Sequence, residues 1–273
     1  MRIKIRTSKW AIWSRRLGSL AVPMLVLPVF LHREQLIASP AFHVVMLAAG
    51  LVAALAVFCA LIALARLWFT GDQGWGRALA GLFLGLVCLA PFGWFGYLAA
   101  DYPLVTDIAT TTRSELPLIF EPDTAAMPPP HLLTAEQQAR IFPNVTTRTY
   151  PLDAFQVFAL VERLATAQGW DIRLRREPAD ATETGRLNAR IVTLVGWREE
   201  VVIRVMPKAI GSAVDMRSAS INAVHDFGSN GVRISDFLIA LDSEVTAFIR
   251  DNRNILQPAD DEAAPEVETG SDS

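Results

Sequence analysis

Cysteine is scarce: Cys59 and Cys88 are the 2 thiols in 273 residues, and both fall inside apolar stretches. A buried thiol in such a stretch acts as a small packing residue. The remainder of the chain therefore has neither a disulfide nor a thiolate metal site. Charge is scarce too, 19% of residues against 52% apolar, where soluble domains carry about 25%. The shortage is local: residues 43–65 and 78–100 contain no Asp, Glu, Lys or Arg, and neither does 17–31. No basic patch interleaved with aromatics occurs, which argues against nucleic acid as a partner. The 4 histidines, His32, His43, His131 and His225, are not spaced as metal ligands from one another or from a helical acid. Neither a G-x-S-x-G elbow nor a phosphate-cradling glycine loop is present, so the expectation is no cofactor, no metal and no enzyme.

What is there divides the chain in two. Hydrocarbon about 30 Å thick needs roughly 20 helical residues, and backbone in lipid must bond to itself. The runs 43–65 and 78–100 meet that length, and the short glycine-rich loop Thr70–Arg77 makes them a hairpin. The run 17–31 rises only about 22 Å and is interrupted by Pro23 and Pro28. It spans, over about 17–37, if Arg15, Arg16 and Arg33 snorkel to the interfaces; an interfacial helix is the alternative. Lys and Arg concentrate before residue 17 and at Arg66 and Arg77, against Arg33 alone in the other connection. With three spans, the positive-inside bias places the N-terminus in the cytoplasm and everything after Asp101 outside. Trp10, Trp13, Trp68 and Trp75 then form one aromatic belt, and Trp94, Tyr97 and Tyr102 the other. With two spans, the soluble part is cytoplasmic instead. Arg15-Arg16 reads as part of a signal anchor, because Gly18-Ser19 follows where a twin-arginine signal needs apolar residues. Gly81 and Gly85 match the small-residue dimer spacing, and the preferred reading is packing inside the hairpin.

Four regions follow: a transmembrane region 1–100, a Pro-rich connector 101–145, an α+β domain 146–255 and an acidic disordered tail 256–273. The connector has 6 prolines between 101 and 131 and is expected to lie extended along the domain surface. Thr134 and Gln137 make a capping box for a helix over about 135–141. Thr146–Tyr150 reads as a strand. Asp153 caps a helix whose stripe is Ala154, Val157, Phe158, Val161, Leu164 and Ala165, stopped by Gly169. Trp170–Arg176 alternates as a strand. Leu187–Val195 and Val201–Val205 are strands flanking the turn Gly196-Trp197-Arg198-Glu199. A further strand starts at Gly211. The stripe Ile234, Phe237, Leu238, Leu241, Val245 and Phe248 predicts a helix over about 231–250. Strands segregated between helices predict an α+β fold with an antiparallel sheet of about five strands. Two long helices cover one face, and Arg190, Arg204, Asp215 and Arg217 stand on the other.

The segment Asp226–Ile234 is the most informative. Ser229 or Asn230 is placed to cap the last helix, and Arg233 then meets the positive end of its dipole, an arrangement a carboxylate such as Asp226 would offset. One reading is a structural clasp of Arg217, Asp226, Gly228, Asn230 and Arg233. The other is an anion or polar-ligand site where Arg217 and Arg233 converge on the cap amides. A third possibility draws His225, Asp226 and Ser218 or Ser220 together as a hydrolase site, although neighbouring His and Asp often arise by chance.

Several motifs are shared with a known family. They are Thr106–Thr110, Arg148-x-Tyr150, Gln168-Gly169-Trp170 and Val201-x-Ile203-Arg204-Val205, then Asp215-x-Arg217-Ser218-x-Ser220 and Asp226-x-Gly228-x-Asn230-x-x-Arg233-Ile234. With these, residues 101–250 resemble the bacterial and plastid proteins grouped as domain of unknown function 1499, some of which place three spans ahead of this domain. The chain departs from the family pattern at Thr111, Ile221 and Ala223. The resemblance implies fold and topology and carries no activity. The expected function is a membrane-anchored periplasmic module that binds an envelope protein, a lipid or another ligand. A periplasmic hydrolase and a structural subunit of an envelope complex are the alternatives.

Overall fold

The computed structural model describes residues 6–119, 129–221 and 223–252, so the acidic tail lies outside the described residues. Three helices come first: α1 (Lys9–Arg33), α2 (Ser39–Thr70) and α3 (Trp75–Asp101). All three are long and apolar enough to cross a membrane. At 25 residues, α1 rises about 37 Å, because it starts eight residues ahead of the uncharged run and continues through Pro23 and Pro28. A helix packed in a bundle tolerates such prolines because its neighbours re-satisfy the freed backbone. Small residues set the packing. A Cβ on Gly81 would lie 1.9 Å from Ser14 Oγ, and one on Gly85 would lie 2.7 Å from Val57 Cγ2 and 3.0 Å from the Ala53 carbonyl. Gly85 thus packs inside the hairpin, against α2, whereas Gly81 faces α1. The two glycines seat α3 against both other helices.

The remaining elements are β1 (Asp107–Ala109), α4 (Ala135–Ile141), β2 (Arg148–Tyr150), α5 (Ala154–Ala167), β3 (Asp171–Arg176), β4 (Gly185–Val192), β5 (Arg198–Pro207), β6 (Ser212–Ser220) and α6 (Ser229–Asp251). They form an α+β domain around one antiparallel sheet of 6 strands, ordered β1-β6-β5-β4-β3, with β2 also on β6. The capping boxes of Thr134 with Gln137 and Asp153 with Gln156 both form. Gly169 takes the left-handed conformation after α5, at φ 72°.

Two expectations need correction. The sheet gains β1 from the connector: Asp107, Ile108 and Ala109 pair with Ala219, Ser218 and Arg217 and are buried. Three residues carry no periodicity, and their pairing is to a strand more than a hundred positions later. The β4–β5 turn is also tighter than expected, because Arg198 and Glu199 already belong to β5.

Alternation sorts the side chains of the sheet. Leu187, Ala189, Val201, Ile203, Val205, Val214 and Met216 face α5 and α6 and build the core with Phe158, Phe237 and Leu241. The opposite face carries Asn188, Glu200, Arg204, Asp215 and Arg217, but it is not open. The connector residues 110–119 cross it, and Leu116 packs on Ala109 and Val202. Beneath them, Arg217 makes a two-pronged pair with Asp107, Nε to Oδ1 at 3.1 Å and Nη2 to Oδ2 at 2.7 Å. Its Nη1 donates to the Leu116 carbonyl at 2.8 Å. Arg204 pairs with Asp215 at 2.8 Å, and Asp215 also accepts from the Thr147 hydroxyl at 2.6 Å. Glu200 accepts from the Ile119 amide at 2.9 Å and from Asn188 at 2.8 Å. The carboxylates of Asp107, Glu200 and Asp215 are buried, because paired and hydrogen-bonded groups offset one another's desolvation.

Candidate functional site: a polar plug at the bundle-facing end

Two loops of the domain meet the helical bundle: the β4–β5 turn and the segment leading into α6. They lie at one end because Glu199 at the start of β5 pairs with Ser220 at the end of β6. At that end the core-facing positions turn polar. Beyond Val201 comes Glu199, and beyond Met216 come Ser218 and Ser220, all three inward by alternation and all buried. The first turns of α6 supply their partners.

Arg233 is the centre. Its Nη2 pairs with Glu199 Oε2, and its Nη1 donates to Ser218 Oγ at 3.0 Å and to Asn230 Oδ1 at 3.3 Å. Ser218 Oγ donates to Asn230 Oδ1 at 2.7 Å. The other Glu199 oxygen accepts from the hydroxyls of Ser229 at 2.8 Å and Ser220 at 3.3 Å. Asn230 Nδ2 reaches Asp226 Oδ2 at 2.9 Å, Ser220 Oγ at 3.0 Å and the Thr106 carbonyl at 3.3 Å. One network thus joins β5, β6, α6 and the connector.

The helix start differs from expectation. Gly228 is the N-cap, at φ 81°, and no side chain at that position bonds the first turn. Asp226 takes the capping role from two residues upstream, accepting from the Gly228 amide at 2.9 Å and the Asn230 amide at 3.3 Å. Asn230 is thereby freed to point into the plug. The carboxylate offsetting Arg233 is Glu199, not Asp226. Glycine is required twice over at 228. The left-handed φ favours it, and an added Cβ would lie 2.6 Å from the Tyr102 ring. Tyr102, just past α3, stacks on Phe142 with ring centroids 5.8 Å apart.

Arg217 and Arg233 do not converge. They lie on opposite sides of the sheet, Arg217 of β6 toward Asp107 and the connector, Arg233 of α6 toward Glu199. Nor do His225 and the serines form a nucleophilic pair. His225 Nδ1 accepts the Phe227 amide at 2.9 Å and stands 3.9 Å from Asp226 Oδ1, while both serine hydroxyls donate elsewhere, to Asn230 and Glu199. A general base must lie within hydrogen-bond reach of the proton it takes. Among the described residues no group of three or more His, Cys, Asp or Glu is placed to hold a metal ion.

Burial pushes the Asp226 carboxyl up to about 6, with the Glu199 charge adding to the push and the amides of Gly228 and Asn230 opposing it. Burial lowers the neighbouring His225, against a hydrogen bond to the Tyr102 backbone. Glu199 is the residue that the sequence reading missed. A signal for it existed: it shares parity with Val201 and Ile203, so it points inward once β5 is extended by a single pair.

Residues 123–241 match the model of a family described as a protein of unknown function, DUF1499. Over that stretch the chain is similar to this family. The match covers most of the α+β domain, from the second part of the connector into α6, and leaves out the three helices and β1. No curated protein matches the chain.

A second contact fastens the same end to the bundle. Buried His32, at the end of α1, donates from Nδ1 to the Val195 carbonyl at 2.7 Å, and its Nε2 lies 3.2 Å from Ser39 Oγ. Its ring stacks on Phe42 at 4.5 Å and meets Trp197 edge-on at 4.8 Å. His43 packs on Trp197 at 5.2 Å. On the other side, Phe227 packs edge-on against Phe95 of α3, with ring centroids 5.1 Å apart.

Proposed function

We propose that the protein is a multi-pass protein of the bacterial inner membrane, with its N-terminus in the cytoplasm, holding its α+β domain in the periplasm as a non-catalytic interaction module. The partner class is an envelope protein or lipid. The observation that carries this reading is the double attachment of the domain, at His32 with Trp197 and at Tyr102 with Gly228. A domain clasped twice to its anchor is held at a set height and orientation, which suits presentation of a surface and has no evident use for an enzyme working on a soluble substrate. The asymmetry of Lys and Arg around the helices supports the sidedness. In this reading Asp226, Gly228, Asn230 and Arg233 are the clasp between sheet and last helix, and Arg217 latches the connector over the far face.

Two measurements test it. Alkaline phosphatase fused after Ser273 of the intact protein should be active, since that enzyme matures only outside the cytoplasm; an active cytosol-only reporter at the same position overturns the sidedness. Crosslinking in intact membranes followed by purification of the full chain should return a specific envelope protein or lipid. Recovery no greater than from an unrelated three-span protein overturns the module.

A further inference from the structure

The bundle-facing end of the domain exposes apolar side chains that its attachment leaves uncovered. Leu194, at the tip of the β4–β5 turn, is 81% exposed, and Val224, in the loop before α6, is 66% exposed. Both flank residues that touch the helical bundle. Gly196 is packed so closely on α1 that an added Cβ would lie 2.7 Å from the Arg33 Cα. Arg33 also donates to the Thr193 carbonyl, and Gln35 to the Gly196 carbonyl, each at 3.3 Å. Phe227, three residues from Val224, sits on Phe95 within α3.

These contacts set a height. Arg33 is the first charge after the uncharged part of α1, so it marks where hydrocarbon gives way to headgroups. Leu194 is two residues from Gly196, hence within about 7 Å of that level along the chain. The headgroup zone on each side of a bilayer is itself roughly 5–8 Å deep. Val224 is tied to α3 at Phe95, six residues before the end of that helix. A large apolar side chain left exposed at that depth finds lipid rather than bulk water.

We propose that this end of the α+β domain rests in the bilayer, with Leu194 and Val224 entering the boundary between headgroups and acyl chains. The surface is continuous with the outer faces of α1 and α3, and its occupant is the lipid of the same membrane. The inference rests on the three helices spanning a bilayer; it is independent of which compartment the domain occupies. Ile210 supplies the internal contrast. It is 88% exposed in the turn at the opposite end of β5, a strand of 10 residues, so about 30 Å away along that strand.

The test uses the full chain in vesicles of phosphatidylethanolamine and phosphatidylglycerol, in a Cys59→Ala, Cys88→Ala background. Nitroxide spin labels go on Leu55→Cys, Leu194→Cys, Val224→Cys and Ile210→Cys, one at a time, all at exposed positions. Depth is read as the ratio of collisions with oxygen to collisions with a water-soluble nickel chelate. The expected ratio is several-fold higher at 194 and 224 than at 210, and highest at 55, midway along α2. If 55 reads as lipid while 194 or 224 is as aqueous as 210, the proposal is overturned and the spans stand. If 210 also reads as lipid, the domain lies flat and the proposal is overturned. If 55 reads as aqueous, the spanning reading fails and the proposal with it.

Discussion

Replacing Arg233 by Ala isolates the charge at the centre of the plug. Glu199 is almost wholly buried, its side chain 2% exposed against 15% for that of Arg233. With Arg233 gone, its remaining partners among the described residues are two hydroxyls, those of Ser229 and Ser220. Removing one partner of a buried ion pair costs about 3–5 kcal/mol, because the survivor keeps its desolvation penalty and loses its counterion. For a domain of this size each kcal/mol lowers the melting temperature by roughly 2–4 °C, so the expected drop is about 6–20 °C. The measurement is thermal unfolding of the full chain in detergent, followed by near-ultraviolet circular dichroism at neutral pH. A second substitution separates charge from packing. Adding Glu199→Gln to Arg233→Ala removes the stranded charge while keeping an acceptor for Ser229. The double variant should therefore melt above the Arg233→Ala single variant. A single variant within about 2 °C of the parent, or a double variant no better than the single, refutes the account of Arg233 as the counterion that makes burial of Glu199 tolerable.

Three further outcomes are expected. Asp226 has its folded pKa raised to about 6 from 3.8, so the folded state binds the proton more tightly and this contribution is full below 3.8 and lost as pH rises through about 6. His225, lowered from 6.5, acts in the opposite sense. Asp226→Asn should therefore leave a stability that falls on acidification below pH 6.5, measured by denaturant unfolding at several pH values; an unchanged profile contradicts the assignment. Gly81→Val should loosen the helical bundle by about 1–3 kcal/mol of overpacking, since even a Cβ would meet Ser14 Oγ at 1.9 Å. A detergent melting curve matching the parent would exclude that tight contact. Trp197→Ala removes the ring contacts to His32, Phe42 and His43, each worth about 0.5–1.5 kcal/mol. Amide exchange at 193–197 should rise at least about tenfold, and equal protection in the two proteins would show that the rings do not hold the turn.

What was legible in the sequence was local. The capping boxes at Thr134 and Asp153 need only residues three apart, and the stripe of α6 lies within one helix, so both are readable without tertiary structure. The charge-free runs announce their helices by composition alone. Where the reading departed from the structure, the missing information was a partner far along the chain. β1 exists because Asp107–Ala109 find β6, 110 positions away between Asp107 and Arg217. The polar face of the sheet was visible as alternating Arg204, Asp215 and Arg217, and alternation correctly separates it from the core. It does not say what lies over that face, and burial of Asp107, Glu200 and Asp215 requires the connector to cross it. The clasp shows the same division. Position alone flags Arg233 as a cation near the positive end of a helix dipole, in need of an acid. The nearest acid upstream, Asp226, is consumed by the helix amides it caps. The need then passes to Glu199 on another strand, so for a buried charge the local motif identifies the demand and strand register decides which residue meets it.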